Sequence, residues 1–250
     1  MSQSLETAML IAGQAVAAMT GESFDRIDPA TGGVASRAPA GRAADAVAAA
    51  DAAAAAFGGW AATAPVVRRA ILMRAAGLLD SYFEAFRQAM QAEIGATDSW
   101  VRFNIDLARD HLEEAASLVT QIGGTLAAGE GLSMAIRQPV GVCLGIAPWN
   151  APLALAVRAI AMALACGNSV VLKASELSPA TQRLLGDVLT EAGLPAGVLN
   201  IVTNGPEHSA EVVGALIAHP AVRRVDFIGS ARLGRVGAAA AARQLKRCLL

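Results

Sequence analysis

Three loops in this sequence carry polar side chains that could bind a small ligand, and each loop follows a predicted strand. Asn150 offers an amide donor close to the N-terminus of the next predicted helix. Lys173 and Glu176 could hold a ribose diol, with the carboxylate accepting the hydroxyl protons. Gly229 permits a close approach of the backbone, and Ser230 with the following helix N-terminus offers donors to a phosphate. Ligands of open α/β sheets bind at the carboxyl ends of the strands, so the loops together predict one site.

Each of these loops also has a structural interpretation, and no single loop is specific. Asn150 could simply cap a helix. Lys173 and Glu176 could form a solvated ion pair at the surface. Gly229 and Ser230 could make an ordinary turn followed by a helix cap. The order and spacing of the three loops along the chain are what favour a ligand site.

The sequence lacks the most familiar nucleotide-binding and catalytic motifs. It contains no GxGxxG, GxxxxGK[ST], HExxH or GxSxG pattern, which disfavours an ordinary dinucleotide fingerprint, a P-loop, a zincin and an α/β-hydrolase. Its histidines are too scattered for a metal cluster. Its cysteines cannot all pair and none lies in a CxxC; they are Cys143, Cys166 and Cys248. We therefore expect no metal site and no disulfide framework, and a reducing cytoplasm fits best.

The composition indicates a globular protein and leaves small-molecule chemistry open. Hydrophobic residues make up 54% and charged residues 16% of 250 residues, which is ample for a buried core. The formal net charge is −1, so no broad field attracts nucleic acid or an anionic membrane. No stretch of about 18 residues is free of polar side chains, so no membrane-spanning helix is predicted. Ala8–Met19 resembles a signal peptide only faintly, and a hairpin over Leu10–Ala17, turning at Gly13, explains it better.

From Val140 onward, short apolar runs alternate with helical patterns. This alternation predicts a Rossmann-like α/β fold, with a parallel sheet and helices on both faces. The predicted strands are Val140–Ala147, Ser169–Leu172, Val198–Thr203 and Val222–Ile228. The predicted helices are Ala151–Cys166, one that runs from an N-cap at Ser178 to Gly193, Glu207–Ala218 and Ala231–Ala242.

The part of the chain before Val140 shows no regular alternation of strands and helices. Residues 1 to about 40 are rich in turns, and three helices are predicted after them: Ala43–Phe57, stopped by Gly58-Gly59, then Val66–Glu93 and Ser99–Ile122. Thr125–Pro139 alternates around two glycines and predicts a protruding β-hairpin. The sequence thus divides into an N-terminal hairpin with helices (1–124), the protruding hairpin (125–139) and the Rossmann-like core (140–250).

Short distinctive motifs are spread along almost the whole chain. They are Asp28–Gly32, Trp60, Arg68–Leu72, Pro139–Val142, Pro148–Asn150, Gly167–Glu176, Glu191–Pro195, Gly197–Asn200 and Phe227–Ser230. In this order and spacing the chain resembles the NAD(P)-dependent aldehyde dehydrogenase superfamily, from about Leu10 to Leu250. Within it, Ala147–Arg235 looks most like the aromatic-aldehyde branch, such as vanillin or salicylaldehyde dehydrogenases.

The resemblance implies a role for each matching residue. Asn150 looks like the oxyanion-hole amide that stabilises a tetrahedral thiohemiacetal. Lys173 and Glu176 look like the clamp on the adenosine ribose, and Glu176 would repel a 2′-phosphate, so NAD is implied over NADP. The cofactor-binding residues carried over from the resemblance are Ile146, Pro148, Trp149, Asn150, Lys173, Ser175, Glu176, Gly205, Pro206, Phe227, Gly229, Ser230 and Leu233. Gly205-Pro206 corresponds to the adenine side, and Gly229 with Ser230 to the pyrophosphate.

The sequence departs from the family's pattern in two places. Ile228 stands where Thr is commoner, which leaves the backbone role intact. The family's catalytic glutamate belongs to a Glu-Leu-Gly-Gly-Lys motif expected just after Leu250, and its nucleophilic cysteine lies further on. Neither motif is matched here, so the resemblance implies a cofactor-binding half without a catalytic domain, inactive alone. A helix ending at Leu250 would then fray, because the strand expected after it is missing.

The resemblance also implies partners, and two alternatives stay open. It implies an aldehyde substrate and a full-length homo-oligomer built through Thr125–Pro139, with no nucleic acid and no membrane. One alternative is a non-catalytic nucleotide- or partner-binding protein derived from the family. The other is a fragment of an acylating semialdehyde dehydrogenase, against which Trp149-Asn150 and Lys173–Glu176 speak, because they match the hydrolytic branch.

Overall fold

The computed structural model describes residues 4–127, 131 and 133–250. Its strands are β1 (Leu5–Glu6), β2 (Met9–Ile11), β3 (Gln14–Val16), β4 (Ser23–Ile27), β5 (Val34–Pro39), β6 (Gly124–Ala127), β7 (Ser133–Ile136), β8 (Val142–Ile146), β9 (Ser169–Lys173), β10 (Leu199–Val202), β11 (Val222–Phe227) and β12 (Arg247–Leu249). Its helices are α1 (Ala43–Ala62), α2 (Pro65–Leu78), α3 (Phe83–Ile94), α4 (Asp98–Leu118), α5 (Pro152–Ala165), α6 (Pro179–Glu191), α7 (Ser209–Ala218) and α8 (Ala231–Arg243). Single 3₁₀ turns lie at Val119–Gln121 and Pro206–His208.

The largest sheet has seven strands in the order β12-β11-β8-β9-β10-β2-β3. Its first five strands are mutually parallel, and β2 with β3 adds an antiparallel hairpin beside β10. The predicted α/β class with a mostly parallel sheet is therefore confirmed, and so is the hairpin that turns at Gly13. Gly13 has φ +78°, and a Cβ there would lie 2.7 Å from the Cβ of Ala196, so the turn requires glycine.

Helices cover both faces of this sheet, as the apolar runs require. Along β9, Val170 and Leu172 join the core on the side of α2, α4, α5 and α6, whereas Val171 joins the core beneath α1 and α7. Successive side chains of a strand point to opposite faces, so a strand buried on both sides must be apolar throughout. This burial explains why β9 carries Val-Val-Leu rather than an alternating pattern.

Two predicted helix boundaries in the first hundred residues are wrong. The first helix does not stop at Gly58-Gly59 but continues to Ala62, because Trp60 is buried and its Nε1 donates to the carbonyl of Leu164 at 3.1 Å. The single helix expected over Val66–Glu93 is two helices, α2 and α3. The break comes at Ser81, whose Oγ donates to the carbonyl of Leu78 at 2.7 Å and competes with the helical bonds.

The expected N-cap of α6 at Ser178 is confirmed, with Pro179 as the first helical residue. Ser178 precedes α6, but its side chain accepts no capping hydrogen bond. Glu93, on α3, takes that part: its carboxylate accepts from the backbone amides of Ala180 at 2.8 Å and Thr181 at 3.0 Å. The hydroxyls of Thr181 and Ser36 donate to the same carboxylate at 2.7 and 2.6 Å. A carboxylate at a helix N-terminus meets both the free amides and the positive end of the helix dipole.

The C-terminal segment contradicts the expectation of a fraying helix at Leu250. Helix α8 ends at Arg243, and β12 then pairs in parallel with β11. Between them Leu245 adopts φ +53°, and the amide of Lys246 donates to the carbonyl of Ala241 at 2.9 Å, which closes the helix end. Leu245 is the turn residue that the sequence pattern did not reveal, because a leucine at positive φ is uncommon.

Two smaller sheets complete the described part of the chain. The first has the order β1-β5-β4, and Asp28–Gly32 supplies the turn between β4 and β5, with Gly32 at φ +74°. The sequence predicted only a turn-rich segment in this region and did not reveal this sheet. The second is the hairpin of β6 and β7, confirmed where predicted, with every described strand residue exposed. Residues 128–130 and 132 of that predicted hairpin lie outside the described residues.

Candidate functional site

The carboxyl ends of four parallel strands lie level with one another. Phe227 at the end of β11 is in register with Ile146 at the end of β8. Ile146 is in register with Lys173 at the end of β9, and Lys173 with Val202 at the end of β10. The loops that follow these residues therefore leave one edge of the sheet side by side. The predicted site residues lie on or next to this edge of the sheet.

Lys173 and Glu176 form a buried ion pair rather than a solvated one. Lys173 is 4% exposed, and its Nζ donates to Oε1 of Glu176. The same oxygen accepts from Nδ2 of Asn204 at 2.8 Å, and that nitrogen also donates to the carbonyl of Gly205. Within the described residues, the other carboxylate oxygen of Glu176, Oε2, accepts no hydrogen bond from another residue. One oxygen is thus fixed by the protein while the second stays available to a ligand.

The two charged groups of this pair have displaced pKa values. For Glu176, burial opposes ionisation, but the Lys173 ammonium and the hydrogen bonds from Lys173 and Asn204 outweigh it and hold the pKa of the carboxyl below its usual range. For Lys173, burial lowers the pKa, and the Glu176 carboxylate counters that effect. A carboxylate held ionised at the mouth of a buried cluster is a good acceptor for hydroxyl protons and a poor neighbour for a phosphate.

The loop Pro148–Pro152 is held by side chains from two helices. Nε2 of Gln182, in the first turn of α6, donates to the carbonyls of Pro148 at 3.1 Å and Pro152 at 3.2 Å. Nε1 of Trp100, in α4, donates to the carbonyl of Asn150 at 2.9 Å. Asn150 itself is exposed, and within the described residues its carboxamide makes no hydrogen bond. The backbone is fixed and the amide is free, which is the arrangement of a donor prepared for a ligand.

A cavity of about 480 Å³ opens between α5 and α8 beside the end of β11. Among its lining residues are Phe227, Gly229, Ser230 and the arginines 158 and 235. A Cβ on Gly229 would lie 2.6 Å from the Phe227 ring, so this loop needs glycine. Ser230 caps α8, its Oγ accepting from the amide of Leu233 at 3.4 Å. Positive side chains and a helix N-terminus suit an anionic ligand such as a phosphate.

The remaining predicted residues flank these groups. Ser175 is buried, and its amide donates to Oε1 of Gln182 at 2.7 Å. Gly205 and Pro206 follow β10 next to Asn204, and Pro206 is exposed. Leu233 lies in the first turn of α8 with 48% of its surface exposed, so it offers an apolar contact at the rim. The ring of Trp149 is also largely exposed, although its loop is fixed.

Sequence reasoning missed three residues that shape this site. Asn204 could have been found, because it follows β10 at the same edge as the other candidates. Gln182 and Trp100 gave no signal: each lies in the first turn of a helix, where a polar or aromatic residue is unremarkable. Their contacts reach across 30 or more residues of sequence, so they become visible only when the helices are packed.

The three cysteines lie in environments that disfavour a thiolate. Burial raises the pKa of Cys143 to about 12. Burial also raises the pKa values of Cys166 and Cys248, with nearby arginines in partial opposition. A reactive cysteine needs a lowered pKa, so none of these thiols has the character of a nucleophile. Within the residues that the structure describes, no cluster of three or more His, Cys, Asp or Glu side chains could hold a metal ion.

The donors and acceptors at the sheet edge fit a dinucleotide. Glu176 Oε2 and the Lys173 ammonium can meet the two hydroxyls of a ribose, and the α8 N-terminus can meet a pyrophosphate. A Cβ on Gly229 would meet the ring of Phe227, whereas a Cβ on Gly205 would meet only the end of the exposed Glu207 side chain, which can move away. In the described part of the chain, no helix has the length and apolar character needed to cross a membrane.

Comparison with known proteins gives a consistent family match. The profile of the aldehyde dehydrogenase family matches residues 16–250. A vanillin dehydrogenase from Pseudomonas fluorescens is 51% identical over 249 residues, which is 98% of this chain and 52% of that protein. The chain therefore spans about half the length of the curated relatives it matches.

Solved structures give the same match in three dimensions. A salicylaldehyde dehydrogenase from Pseudomonas putida G7, complexed with salicylaldehyde, superposes with a TM-score of 0.96 at 41% identity, covering 98% of this chain and 51% of that one. An NADP-dependent enzyme from E. coli (31% identity, 98% and 51% covered) and an NAD-dependent aldehyde dehydrogenase from Sinorhizobium meliloti (31% identity, 98% and 50% covered) both superpose with a TM-score of 0.93. Both cofactor specificities thus occur on this backbone.

Proposed function

Because the chain belongs to the aldehyde dehydrogenase family, we propose that it forms the NAD-binding half of an enzyme that oxidises an aromatic aldehyde to its carboxylic acid. The observation that carries the proposal is the buried group of Lys173, Glu176 and Asn204, which leaves one carboxylate oxygen free at the ligand edge. The aromatic class is supported by the vanillin and salicylaldehyde dehydrogenases among the relatives.

In this proposal the residues of the sheet edge divide the work of binding. Glu176 and Lys173 hold the adenosine ribose, Gly229 and Ser230 take the pyrophosphate, and Asn150 donates its amide to the oxygen that becomes negative in the transition state. When bound, a nicotinamide cofactor supplies a hydride acceptor. The thiolate and the general base of the reaction are not assigned to any residue of this chain.

NAD is preferred over NADP in this proposal because of charge. A 2′-phosphate would place negative charge against a Glu176 carboxylate that is buried, ionised and anchored by Lys173. Two like charges within about 5 Å at a poorly hydrated site repel by an amount that water does not screen away. The preference rests on one side chain, which makes it easy to test.

The test is a calorimetric titration of the chain with NAD and with NADP. We expect NAD to bind at least about tenfold more tightly, which corresponds to about 1.4 kcal/mol. Glu176→Gln should narrow the gap, because glutamine still accepts from Lys173 but carries no charge. The matched control is Glu113→Gln, an exposed carboxylate on α4, which should leave both affinities unchanged. Equal affinities of the wild type for the two cofactors would contradict the proposed preference for NAD. If neither cofactor bound, the proposed dinucleotide site itself would be contradicted.

The aldehyde half of the proposal needs a complete enzyme. Residues 1–250 can replace the corresponding half of the P. fluorescens vanillin dehydrogenase, to which they are 51% identical. We expect the joined enzyme to form NADH with benzaldehyde, vanillin or salicylaldehyde. Asn150→Ala should lower kcat by about 10²-fold, the usual effect of removing one oxyanion donor. Asn150→Ala with undiminished kcat would contradict the role of that amide.

A further inference from the structure

The Gln182 carboxamide uses both its donor hydrogens and its acceptor oxygen, and it is completely buried. Nε2 donates to Pro148 at 3.1 Å and to Pro152 at 3.2 Å, while Oε1 accepts from the amide of Ser175 at 2.7 Å. Two carbonyls and one N–H permit only one orientation of the amide. The side chain therefore has a single arrangement, and that arrangement joins two loops.

The two loops that Gln182 joins belong to neighbouring strands. The Pro148–Pro152 loop follows β8 and carries Asn150, whereas Ser175 lies in the loop that follows β9 and carries Glu176. The carbonyl of Pro148 lies outside any helix or strand, so no regular backbone bond fixes it. Prolines 148 and 152 also have no N–H, which removes two backbone donors that could otherwise tie this loop down. The side chain of Gln182 supplies what the loop's own backbone lacks.

Helix α6 can act as a rigid base for this contact because its first turn is anchored separately. Glu93 accepts from the amides of Ala180 and Thr181, directly before Gln182, and is itself buried on α3. A side chain positions a ligand group well only when its own support is rigid. Helix α3 thus fixes the start of α6 through Glu93, and α6 in turn fixes both loops through Gln182.

We infer that Gln182 is a positioning residue that holds the Asn150 loop and the Glu176 loop in one fixed relation. The inference rests on the proposed function, in which Asn150 donates to the reacting oxygen and Glu176 holds the ribose. Gln182 touches neither substrate nor cofactor. It fixes the distance between the cofactor clamp and the oxyanion donor, and a misplacement of about 1 Å in such a donor can cost about 10²-fold in rate.

Three variants separate this role from a general loss of stability. Gln182→Met keeps the length of the side chain and removes all three hydrogen bonds. Gln182→Glu keeps an acceptor for the amide of Ser175 but removes the donors to the prolines. The matched control is Asn200→Leu: Asn200 is also a completely buried amide, and it joins Ala12 and Gly197 elsewhere in the fold.

The first measurement is the backbone ¹⁵N order parameter of the chain without ligand. In the wild type we expect values of about 0.85 at Trp149, Asn150, Ala151 and Ser175, as in rigid backbone. Gln182→Met should bring all four below about 0.6, the range of flexible segments. Gln182→Glu should loosen the first three and leave Ser175 ordered, and Asn200→Leu should change none. Order that persists in Gln182→Met, or that falls equally in Asn200→Leu, would overturn the inference.

The second measurement is kinetic, in the joined enzyme described above. Gln182→Met should lower kcat by about 10²-fold, with a much smaller change in the KM for NAD. In an Asn150→Ala background the same substitution should have almost no further effect on kcat, because Gln182 acts through Asn150. Additive losses would contradict the positioning role. An Asn150→Ala variant with full activity would instead contradict the proposed function, while the order parameters would still decide the positioning role.

Discussion

Glu93 is a buried carboxylate with no cation among the four groups that donate to it. Burial raises its pKa, while the hydrogen bonds from Ser36, Thr181 and Ala180 oppose that shift. Each carboxylate oxygen accepts two of the four hydrogen bonds, so both oxygens are needed as acceptors. Glu93 therefore stabilises the start of α6, and this role does not depend on what the protein binds.

Glu93→Gln should destabilise the fold strongly, although the two side chains have almost the same size. Whichever way the amide turns, its new NH₂ group faces the backbone amide of Ala180 or of Thr181, and that buried donor is left without an acceptor. The hydroxyl on the same side can rotate and accept from the NH₂ group instead. A buried donor without an acceptor costs about 1–3 kcal/mol. Urea unfolding measures the difference, and Glu113→Gln on the surface should stay within about 0.5 kcal/mol of the wild type. A Glu93→Gln chain as stable as the wild type would show that α6 has another cap.

The Lys173–Glu176 pair predicts a pH dependence of stability. The folded-state pKa of Glu176 lies below its ordinary value of 4.5, so the unfolded chain takes up the proton first as the pH falls. Its contribution to stability is thus complete well above pH 4.5 and is lost as the pH falls through and below that value. The difference in unfolding free energy between wild type and Glu176→Gln should therefore shrink from about pH 7 to about pH 4. A constant difference would mean that the pKa of Glu176 is the same in the folded and the unfolded protein.

At the scale of single elements, the hairpin of β6 and β7 stands out for its exposed apolar residues. Leu126, Met134 and Ile136 are each at least 59% exposed, on a pair of strands whose outer edges are open. Open strand edges with apolar side chains favour pairing with another chain. We propose that this hairpin pairs with a second copy of the chain.

Association of the chain should therefore depend on the hairpin. At micromolar concentration, light scattering should report species larger than a monomer. Leu126→Glu together with Ile136→Lys should shift the distribution toward monomer. The control is Leu245→Glu, at a leucine that is 96% exposed between α8 and β12, and it should leave the distribution unchanged. A chain that is monodisperse and monomeric before any substitution would contradict this role.

The elements show where sequence reasoning succeeds and where it fails. Strands β8 to β10 were predictable, because each is a short and mostly apolar run bounded by turn residues, and so were the polar loops that follow them. Strand β11 was also predicted, although three of its six residues are charged. The end of α1 was not, because the buried Trp60 overrides the weak helix propensity of two glycines. Strand β12 was missed for a similar reason: its formation depends on pairing with β11, not on any local pattern. Gln182 and Glu93 act over long sequence separations, which no local pattern encodes.

At the scale of the whole molecule, none of the three cysteines has the character of an activated nucleophile. Burial raises the pKa of all three cysteine thiols, that of Cys143 to about 12. We expect residues 1–250 alone to form no measurable NADH from aldehydes, because the reaction needs a thiolate nucleophile and none of these three thiols is activated.

The assay is purified chain with NAD and benzaldehyde, vanillin or salicylaldehyde, followed by the absorbance of NADH. The joined enzyme provides the positive control. Turnover that disappears in Cys248→Ser would identify that residue as a nucleophile despite its raised pKa. Turnover that survives substitution of each cysteine would indicate a different chemistry.

The place of the N-terminal hairpin in the large sheet has a consequence for biosynthesis. Leu10 pairs with Ile201, and the amide of Ala12 donates to Asn200 at 2.9 Å, so the hairpin of β2 and β3 cannot join the large sheet until β10 has been made. At about 5–20 residues per second, a ribosome needs roughly 10–40 s to extend the chain from one partner to the other. During much of that interval the apolar strand Met9–Ile11 has only β3 as a neighbour, so the side chains that it buries in the finished sheet stay uncovered.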